Sequence, residues 1–455
     1  MKKQQKSIKQ AKLSRRELLG SAAAVAAFTI VPRHVLAGSG QQAPSDKLNI
    51  AGIGVGGQGS GDIGNVSSEN IYALCDVDEN RAGATFGEYP DAKQYKDYRI
   101  MLDKEQNNID AVVIATPDHH HTPASIRAMK LSKHVYVEKP MAHTIFECRE
   151  MLKVSREMKV VTQMGNQGHG GAGLRLWYNY IHSGAIGKVK EIYVWTDRPG
   201  GAGRLWWPQG VERPVEIETV PSTLEWDLWL GPAPYRLYHS SYVPFNWRGR
   251  WDWGTGSLGD MACHNMDPAF WCLDLGAPVA VEAQTSGINS DTYPASQNIT
   301  YSFEAKGDRP AVDLVWYDGG NLPPVPEDLE GNELGSNGCM IIGENGTLMG
   351  DSHAAAPQLY PEARSQEVGT PPELMAPGIG HHAEWLQACK DNRPEDALAG
   401  FEYSAPFTEG MLVGNLAVRL GRRIEWDIEE MKAPNAPEAD ILINKEYRTG
   451  WEVVV

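Results

Sequence analysis

The chain has 455 residues, 42% of them hydrophobic, with 58 Asp or Glu against 42 Lys or Arg for a net charge of −16. That acidic surplus excludes a nucleic-acid partner, which would need a basic face, while the length is enough for two sizeable cores. Six cysteines, Cys75, Cys148, Cys263, Cys272, Cys339 and Cys389, follow no CxxC or regular spacing. They read as buried free thiols rather than a disulfide framework or zinc site, and no metal is expected.

At the start of the chain, lysines from Lys2 to Lys12 precede Ser14-Arg15-Arg16-Glu17-Leu18-Leu19 and an Ala-rich apolar stretch to Val31. This layout is that of a twin-arginine export signal covering residues 1–37, with cleavage expected after Ala37 and no Cys following for lipid attachment. The expected partner is the twin-arginine export machinery, which carries folded proteins, and the expected location is periplasmic or otherwise exported. The signal carries eight Lys or Arg and one Glu, so its removal takes the charge from −16 to −23 over the remaining 418 or so residues.

The strand Asn49-Ile50-Ala51-Gly52-Ile53 is followed by a glycine turn, a helix and a second strand, Ile71-Tyr72-Ala73-Leu74-Cys75. Ala111-Val112-Val113-Ile114-Ala115 is a continuous apolar run, as expected of a parallel strand buried on both faces. A helix over residues 123–132, a strand at 135–137, a helix over 145–158 and a strand at 160–164 complete a doubly wound α/β unit. Its expected bounds are 46–165.

Beyond it the composition changes: residues 195–253 hold eight of the fourteen tryptophans, interleaved with Gly, Pro and Arg. Alternating strands at 299–303 and 311–316 follow. Residues 318–335 and 354–377 read as irregular surface segments, and helices over 381–390 and 404–420 close the second part, 166–455.

Gly54-Val55-Gly56-Gly57-Gln58-Gly59 stands directly after the first strand, where a dinucleotide fingerprint belongs. Gly54 permits the turn, Gly56 lets the backbone approach the pyrophosphate, and the helix that follows offers its N–H groups to phosphate. Asp76 closes the second strand at the position of a carboxylate that accepts from the adenosine ribose and repels a 2′-phosphate, so the expected cofactor is NAD. Asp78 competes for that role or caps a helix.

Two further segments and a third in the second part carry a resemblance. Ala115-Thr116-Pro117-Asp118-His119-His120-His121 and Lys133-His134-Val135-Tyr136-Val137-Glu138-Lys139-Pro140 resemble the TPxxxH and GKHVxxEKP segments of the Gfo/Idh/MocA family. Residues 254–267, Gly254 through Asp260 and His264 to Asp267, are similar to its GGGxLxDxGxHxxD motif. The resemblance implies a Rossmann domain followed by an α+β domain with an open, mostly antiparallel sheet, and a homo-oligomer formed through that sheet. It implies that Lys139, Asp260 and His264 are the catalytic group. The chemistry agrees: Asp260 and His264, four apart, share a helix face where a carboxylate can orient an imidazole. His264 can take the hydroxyl proton while Lys139 polarises the oxygen.

Thr116, Pro117, His121, Glu138, Lys139 and Asn166 are expected along the cofactor, with His119 and His120 incidental and His381 and His382 without chemistry. Asn166 and His169 follow the last strand at the mouth of the cleft, and His169 is a candidate second catalytic group. Trp206, Trp207 and Trp251, with Trp247 and Trp253, are loop tryptophans that can stack on sugar C–H faces or form a satellite core. The expected substrate is a small carbohydrate or glycoside, oxidised at a hydroxyl with NAD held tightly, since an exported enzyme has no replenished pool. Two alternatives are a redox-neutral glycoside hydrolase working through a 3-keto intermediate and a non-catalytic sugar-binding protein.

Overall fold

The computed structural model describes residues 46–453; the twin-arginine segment and the cleavage point after Ala37 lie outside the described residues. The first sheet comprises β1 (Asn49–Ile53), β2 (Asn70–Cys75), β3 (Lys93–Tyr95), β4 (Ala111–Ile114), β5 (His134–Glu138) and β6 (Thr162–Gly165). All are parallel, in the order β3-β2-β1-β4-β5-β6. The apolar run of β4 is buried at all four positions because helices cover both faces. Strand order reverses between β1 and β4, which opens a crevice at their carboxyl ends where ligands bind in such sheets.

Local chemistry sets the helix bounds. Thr144 and Glu147 form a reciprocal capping box at the start of Ile145–Met158, and Lys159 ends that helix in the left-handed region. The helix expected over 123–132 spans His121–Lys130 instead. Pro123 fits its first turn, where no N–H is needed, and Ser132 turns to φ 60° just beyond its end.

The second part is built on β7 (Val189–Trp195), a short hairpin of β8 (Gly200–Gly201) and β9 (Arg204–Leu205), then β10 (Ala280–Thr285), β11 (Gln297–Phe303), β12 (Val312–Tyr317), β13 (Gly338–Gly343), β14 (Thr347–Gly350), β15 (Gln358–Tyr360) and β16 (Ile424–Glu425). Eight strands form one sheet, ordered β15-β14-β13-β7-β12-β11-β10-β16. Every pairing is antiparallel except β7 with β12. In β11, Gln297, Ile299, Tyr301 and Phe303 alternate inward. The Tyr301 hydroxyl donates to the Met411 carbonyl at 2.9 Å on the helix Phe401–Leu420. Gly414 permits this approach, since a Cβ there would meet the Tyr301 oxygen at 2.0 Å.

Both segments expected to be irregular carry more order than their composition suggests. Residues 318–335 lie over the sheet, with Leu329 packed among Trp195, Met340 and Tyr360. Residues 354–377 include β15 and the helix Glu362–Val368. All six cysteines are buried thiols.

The Trp-rich stretch has little regular structure beyond the short helix Trp226–Leu230 and a turn at Asn246–Gly249. Side chains hold it instead. Trp226, Trp229, Tyr238, Tyr242, Trp247 and Trp253 form a separate apolar cluster, in which Trp226 and Trp229 stack at 4.8 Å. Beside it the buried Asp291 carboxylate binds three guanidinium groups, Arg213 and Arg236 at 2.9 Å and Arg250 in close contact.

Candidate active site

At the carboxyl ends of β1, β2 and β4 lies a cavity of about 310 Å³, lined by Gly54, Gly56, Gly57, Gln58, Asp76, Thr116 and Pro117 among others. Sequence dictates its floor. Gly54 has φ +75° and packs against the Ala115–Thr116 backbone, and a Cβ at Gly59 would lie 1.9 Å from the Gly54 carbonyl. The helix Gln58–Asn65 therefore begins flush against the turn, its N-cap Gly57 making no side-chain cap, and its first N–H groups face the cavity end where a phosphate fits. Asp76 accepts from the backbone N–H of Val55 at 2.9 Å, Gly56 at 3.2 Å and Asp78 at 2.9 Å. Burial nonetheless raises its pKa, against those hydrogen bonds. Asp78 caps the helix Glu79–Glu88 by accepting from Asn80 and Arg81. Among the described residues Thr116 Oγ1 and both amide atoms of Asn166 are buried without a hydrogen-bond partner, so polar groups remain for a dinucleotide to satisfy.

The other wall of this cavity comes from the Trp-rich stretch and the C-terminal tail: Leu224, Leu228, Trp229, Phe245, Trp247, Arg248 and Trp451. Backbone hydrogen bonds seam it to the first domain, from Glu79 N to Thr223 O at 3.0 Å and from Glu225 N to Val77 O at 2.9 Å. Lys96 adds an ion pair to Glu225 at 2.8 Å. On the tail, Trp451 lies under the Arg99 guanidinium at 3.7 Å, and Arg448 pairs with Asp227 at 2.7 Å. The result is a roof over the β2 side of the cleft, where the adenosine half of a dinucleotide binds in this fold.

The helix Gly256–Asn265 is buried along its whole length and meets the end of β5. Lys139 Nζ donates to Asp260 Oδ1 at 2.7 Å and to the Asp260 carbonyl at 2.9 Å. Arg248 Nε donates to the same Oδ1 at 3.0 Å. Burial alone would raise the pKa of Asp260, but the two cations outweigh it and hold the carboxyl well below its usual range. Burial works against the Lys139 ammonium, yet Asp260 keeps its pKa above the ordinary value.

His264 is not oriented by Asp260, as its spacing suggested. The structure gives Asp260 to the two cations and stacks His264 on His353 at 4.0 Å, with Nδ1 buried and without a hydrogen-bond partner among the described residues. Burial first, then His353 and Lys139, push its pKa well below 6.5, so the ring is neutral at neutral pH.

The carboxylate–imidazole pair expected there occurs one turn on. Asp267 holds His169 Nδ1 at 3.0 Å from each of its oxygens, and Tyr403 Oη donates to Asp267 at 2.5 Å. His169 Nε2 is buried without a hydrogen-bond partner among the described residues. The turn carrying His169 packs on His353, since a Cβ at Gly168 would lie 2.1 Å from the His353 carbonyl, so His169, His353 and His264 belong to one neighbourhood.

Other expected site residues stand elsewhere. His121 bridges the two motif turns, with Nδ1 2.7 Å from Pro140 O and Nε2 2.8 Å from Thr116 O; burial lowers its pKa to about 4. It braces the segment that delivers Lys139 rather than lining the cavity. Glu138 accepts from Gln167 at 2.6 Å behind the same segment. His119 and His120 hold the roof, their Nε2 atoms lying 3.0 and 2.9 Å from the Trp229 carbonyl.

Of the five loop tryptophans considered for sugar stacking, Trp247 and Trp253 belong to the aromatic cluster, and Trp206, Trp207 and Trp251 have their faces covered. Trp206 is sandwiched between Arg198 at 3.5 Å and Arg204 at 3.1 Å. Trp207 is 1% exposed, and Trp251 stacks on Tyr293 at 3.7 Å. Arg248, His353, Asp267 and Trp451 were missed as site residues. Of these only Asp267 carried a signal, as the last residue of the third motif.

Residues 48–166 match the family model described as "Oxidoreductase family, NAD-binding Rossmann fold", and residues 179–453 match "Oxidoreductase family, C-terminal alpha/beta domain". The chain belongs to the Gfo/Idh/MocA oxidoreductase family, and its first domain is an NAD-binding Rossmann domain.

Among curated relatives, a glycosyl hydrolase family 109 protein of Shewanella pealeana is 30% identical over 228 residues, 44% of this chain and 49% of the relative. Inositol 2-dehydrogenase of Salmonella typhimurium is 30% identical over 151 residues, 32% of this chain and 44% of the relative. The chain thus spans about half the length of the curated relatives it matches. Two solved structures share the fold across most of the chain. One is the aldose-aldose oxidoreductase of Caulobacter crescentus complexed with glycerol, with TM-score 0.55 at 17% identity over 83% of this chain and 99% of that one. The other is levoglucosan dehydrogenase with NADH and L-sorbose, with TM-score 0.54 at 16% identity over 83% and 98%.

Proposed function

We propose that the protein is an exported, NAD-dependent oxidoreductase that oxidises a hydroxyl of a sugar or glycoside and keeps its cofactor between turnovers. The observation that carries this reading is the Lys139 ammonium, fixed 2.7 Å from Asp260, one helical turn from a neutral His264 with an unpartnered ring nitrogen. Gly54, Gly56, Gly57, Gln58, Asp76, Thr116 and Asn166 would hold the dinucleotide. The bound nicotinamide supplies a hydride acceptor when oxidised and a donor when reduced. Lys139 donates a hydrogen bond to the substrate oxygen and stabilises negative charge on it. His264, kept neutral by burial, accepts the hydroxyl proton. The roof supports retention: release of the adenosine half requires the seam at Thr223 and Glu225 or the Trp451 wall to part.

A second reading, redox-neutral glycoside cleavage through a 3-keto sugar, is favoured by one observation. His169, oriented by Asp267 and Tyr403, is a second imidazole that can remove the proton acidified by a neighbouring ketone. The family 109 relative points the same way. A non-catalytic sugar-binding role would not require Lys139, Asp260 and Arg248 to be held together in a largely buried site.

The test is an absorbance spectrum of purified protein, without added cofactor, before and after exposure to a panel of sugars and aryl glycosides. Reduction of bound nicotinamide by a sugar supports oxidoreduction, and aglycone release without net reduction supports the second reading. Protein that neither contains nor binds NAD would overturn both.

A further inference from the structure

Two cations share one oxygen at the reaction centre: Lys139 Nζ at 2.7 Å and Arg248 Nε at 3.0 Å from Asp260 Oδ1. The side chains are 14%, 18% and 11% exposed for Lys139, Arg248 and Asp260, so water screens them only weakly. One carboxylate cannot neutralise both.

The other groups facing Lys139 add little negative charge. Burial pushes the Glu138 carboxyl well above its ordinary value and keeps the Cys263 thiol protonated. His264 and His353 are pushed toward the neutral form, first by burial. Asp118, which accepts from Thr255 Oγ1 at 2.6 Å, is raised to about 7 by burial and supplies at most a partial counter-charge near neutrality.

Arg248 reaches this point from the stretch that roofs the cavity. Its guanidinium stacks on Phe245 at 3.9 Å and Trp247 at 4.4 Å, and all three residues line the cavity.

We propose that Arg248 is a positioning and charge-setting residue of the reaction centre, which shares Asp260 with Lys139 and leaves the pair one positive charge in excess. Resting on the oxidoreductase reading, that excess favours the alkoxide formed as the substrate hydroxyl loses its proton, and the enolate if the second reading holds. Because Arg248 belongs to the roof, the centre is complete only when the roof is seated.

The experiment uses the holoenzyme and Arg248→Gln and Arg248→Lys variants, each first checked for an intact melting transition. Trace acetylation with acetic anhydride across pH, quantified at Lys139 by peptide mass spectrometry, reads the ionisation of Lys139 without a substrate. In Arg248→Gln the Lys139 midpoint should rise by about one to two pH units, because a cation within about 6 Å has been removed, while Arg248→Lys stays near wild type. With a sugar that reduces the bound NAD, kcat of Arg248→Gln at neutral pH should fall about 10- to 100-fold, with KM changed far less. An unmoved Lys139 midpoint in Arg248→Gln would overturn the proposal. If the midpoint moves but no sugar reduces NAD in the wild type, the charge-setting role stands and the oxidoreductase reading fails.

Discussion

The two walls of the cofactor cavity are held by different physics. On the Rossmann side, parallel ladders fix the strand ends, and residues such as Gly54, Asp76 and Thr116 are positioned by backbone. On the roof side almost nothing is repeated: a cluster of tryptophans and tyrosines, three arginines on Asp291 and a few seam hydrogen bonds hold Arg248 and Trp229 in place. Backbone ladders distribute the load over many similar bonds, whereas the roof concentrates it on single side chains. Loss of one roof residue should therefore cost function out of proportion to its effect on the rest of the fold.

Asp291→Ala gives the widest separation. It leaves the buried Arg250 guanidinium without its carboxylate, while Arg236 keeps Asp252 at 2.6 Å and Arg213 is exposed, and breaking a buried pair costs about 3–5 kcal/mol. The expected outcome is a large drop in denaturant midpoint together with loss of co-purifying NAD. Ile114→Val, at the carboxyl end of β4 with its side chain fully buried, should cost only about 1 kcal/mol and leave NAD bound. If both variants keep their cofactor, the roof does not depend on Asp291.

Trp451→Ala sharpens the comparison from the tail. The indole packs edge-on to Tyr98 at 5.9 Å and to His120 at 5.4 Å and contributes no backbone to either sheet. NAD should escape about tenfold faster, equivalent to one aromatic contact, and the melting temperature should fall as well, because truncating an indole that is 7% exposed leaves a cavity worth about 3–5 kcal/mol. Dilution of holoenzyme into a cofactor scavenger, followed by the loss of bound nicotinamide, measures this directly.

Tyr403→Phe is a smaller change on the sheet side of the site. It removes a single hydrogen bond to Asp267, about 1 kcal/mol, so turnover should slow about fivefold if His169 takes part in the chemistry. Unchanged turnover would leave His169 and Asp267 as a structural pair and weaken the glycosidase reading.

How far the site could be read from sequence follows the same division. Gly54 to Gly59 and Asp76 could be singled out because a glycine turn after a strand fixes geometry locally, and Lys139, Asp260 and His264 because they stand in segments that resemble the family's motifs. The partners were not. Helical spacing put Asp260 and His264 on one face but could not reveal that Arg248, twelve residues earlier in an irregular loop, would take the carboxylate, or that His353 would stack on the imidazole. The tryptophans stood out by composition, yet their faces are used by arginines and by other aromatic rings, a matter of packing partners that composition does not encode. Likewise, β13 and β14 lay unassigned beyond a Pro-rich stretch, because short strands completed by distant neighbours carry little pattern of their own.

The smallest of the expected effects concerns pH. Asp118 is buried between the two walls, its carboxyl raised to about 7 first by loss of solvation. A carboxyl whose pKa is higher folded than unfolded holds more protons in the native state between about pH 4 and 7, so it makes stability fall as pH rises through that window. Asp118→Asn removes the titration and should flatten the stability–pH curve there, with the two proteins running parallel outside it. A curve equally steep in Asp118→Asn would mean that the nearby Lys139 and Arg248 charges already hold Asp118 ionised. The excess positive charge at the reaction centre would then be smaller than the geometry of Asp260 alone implies.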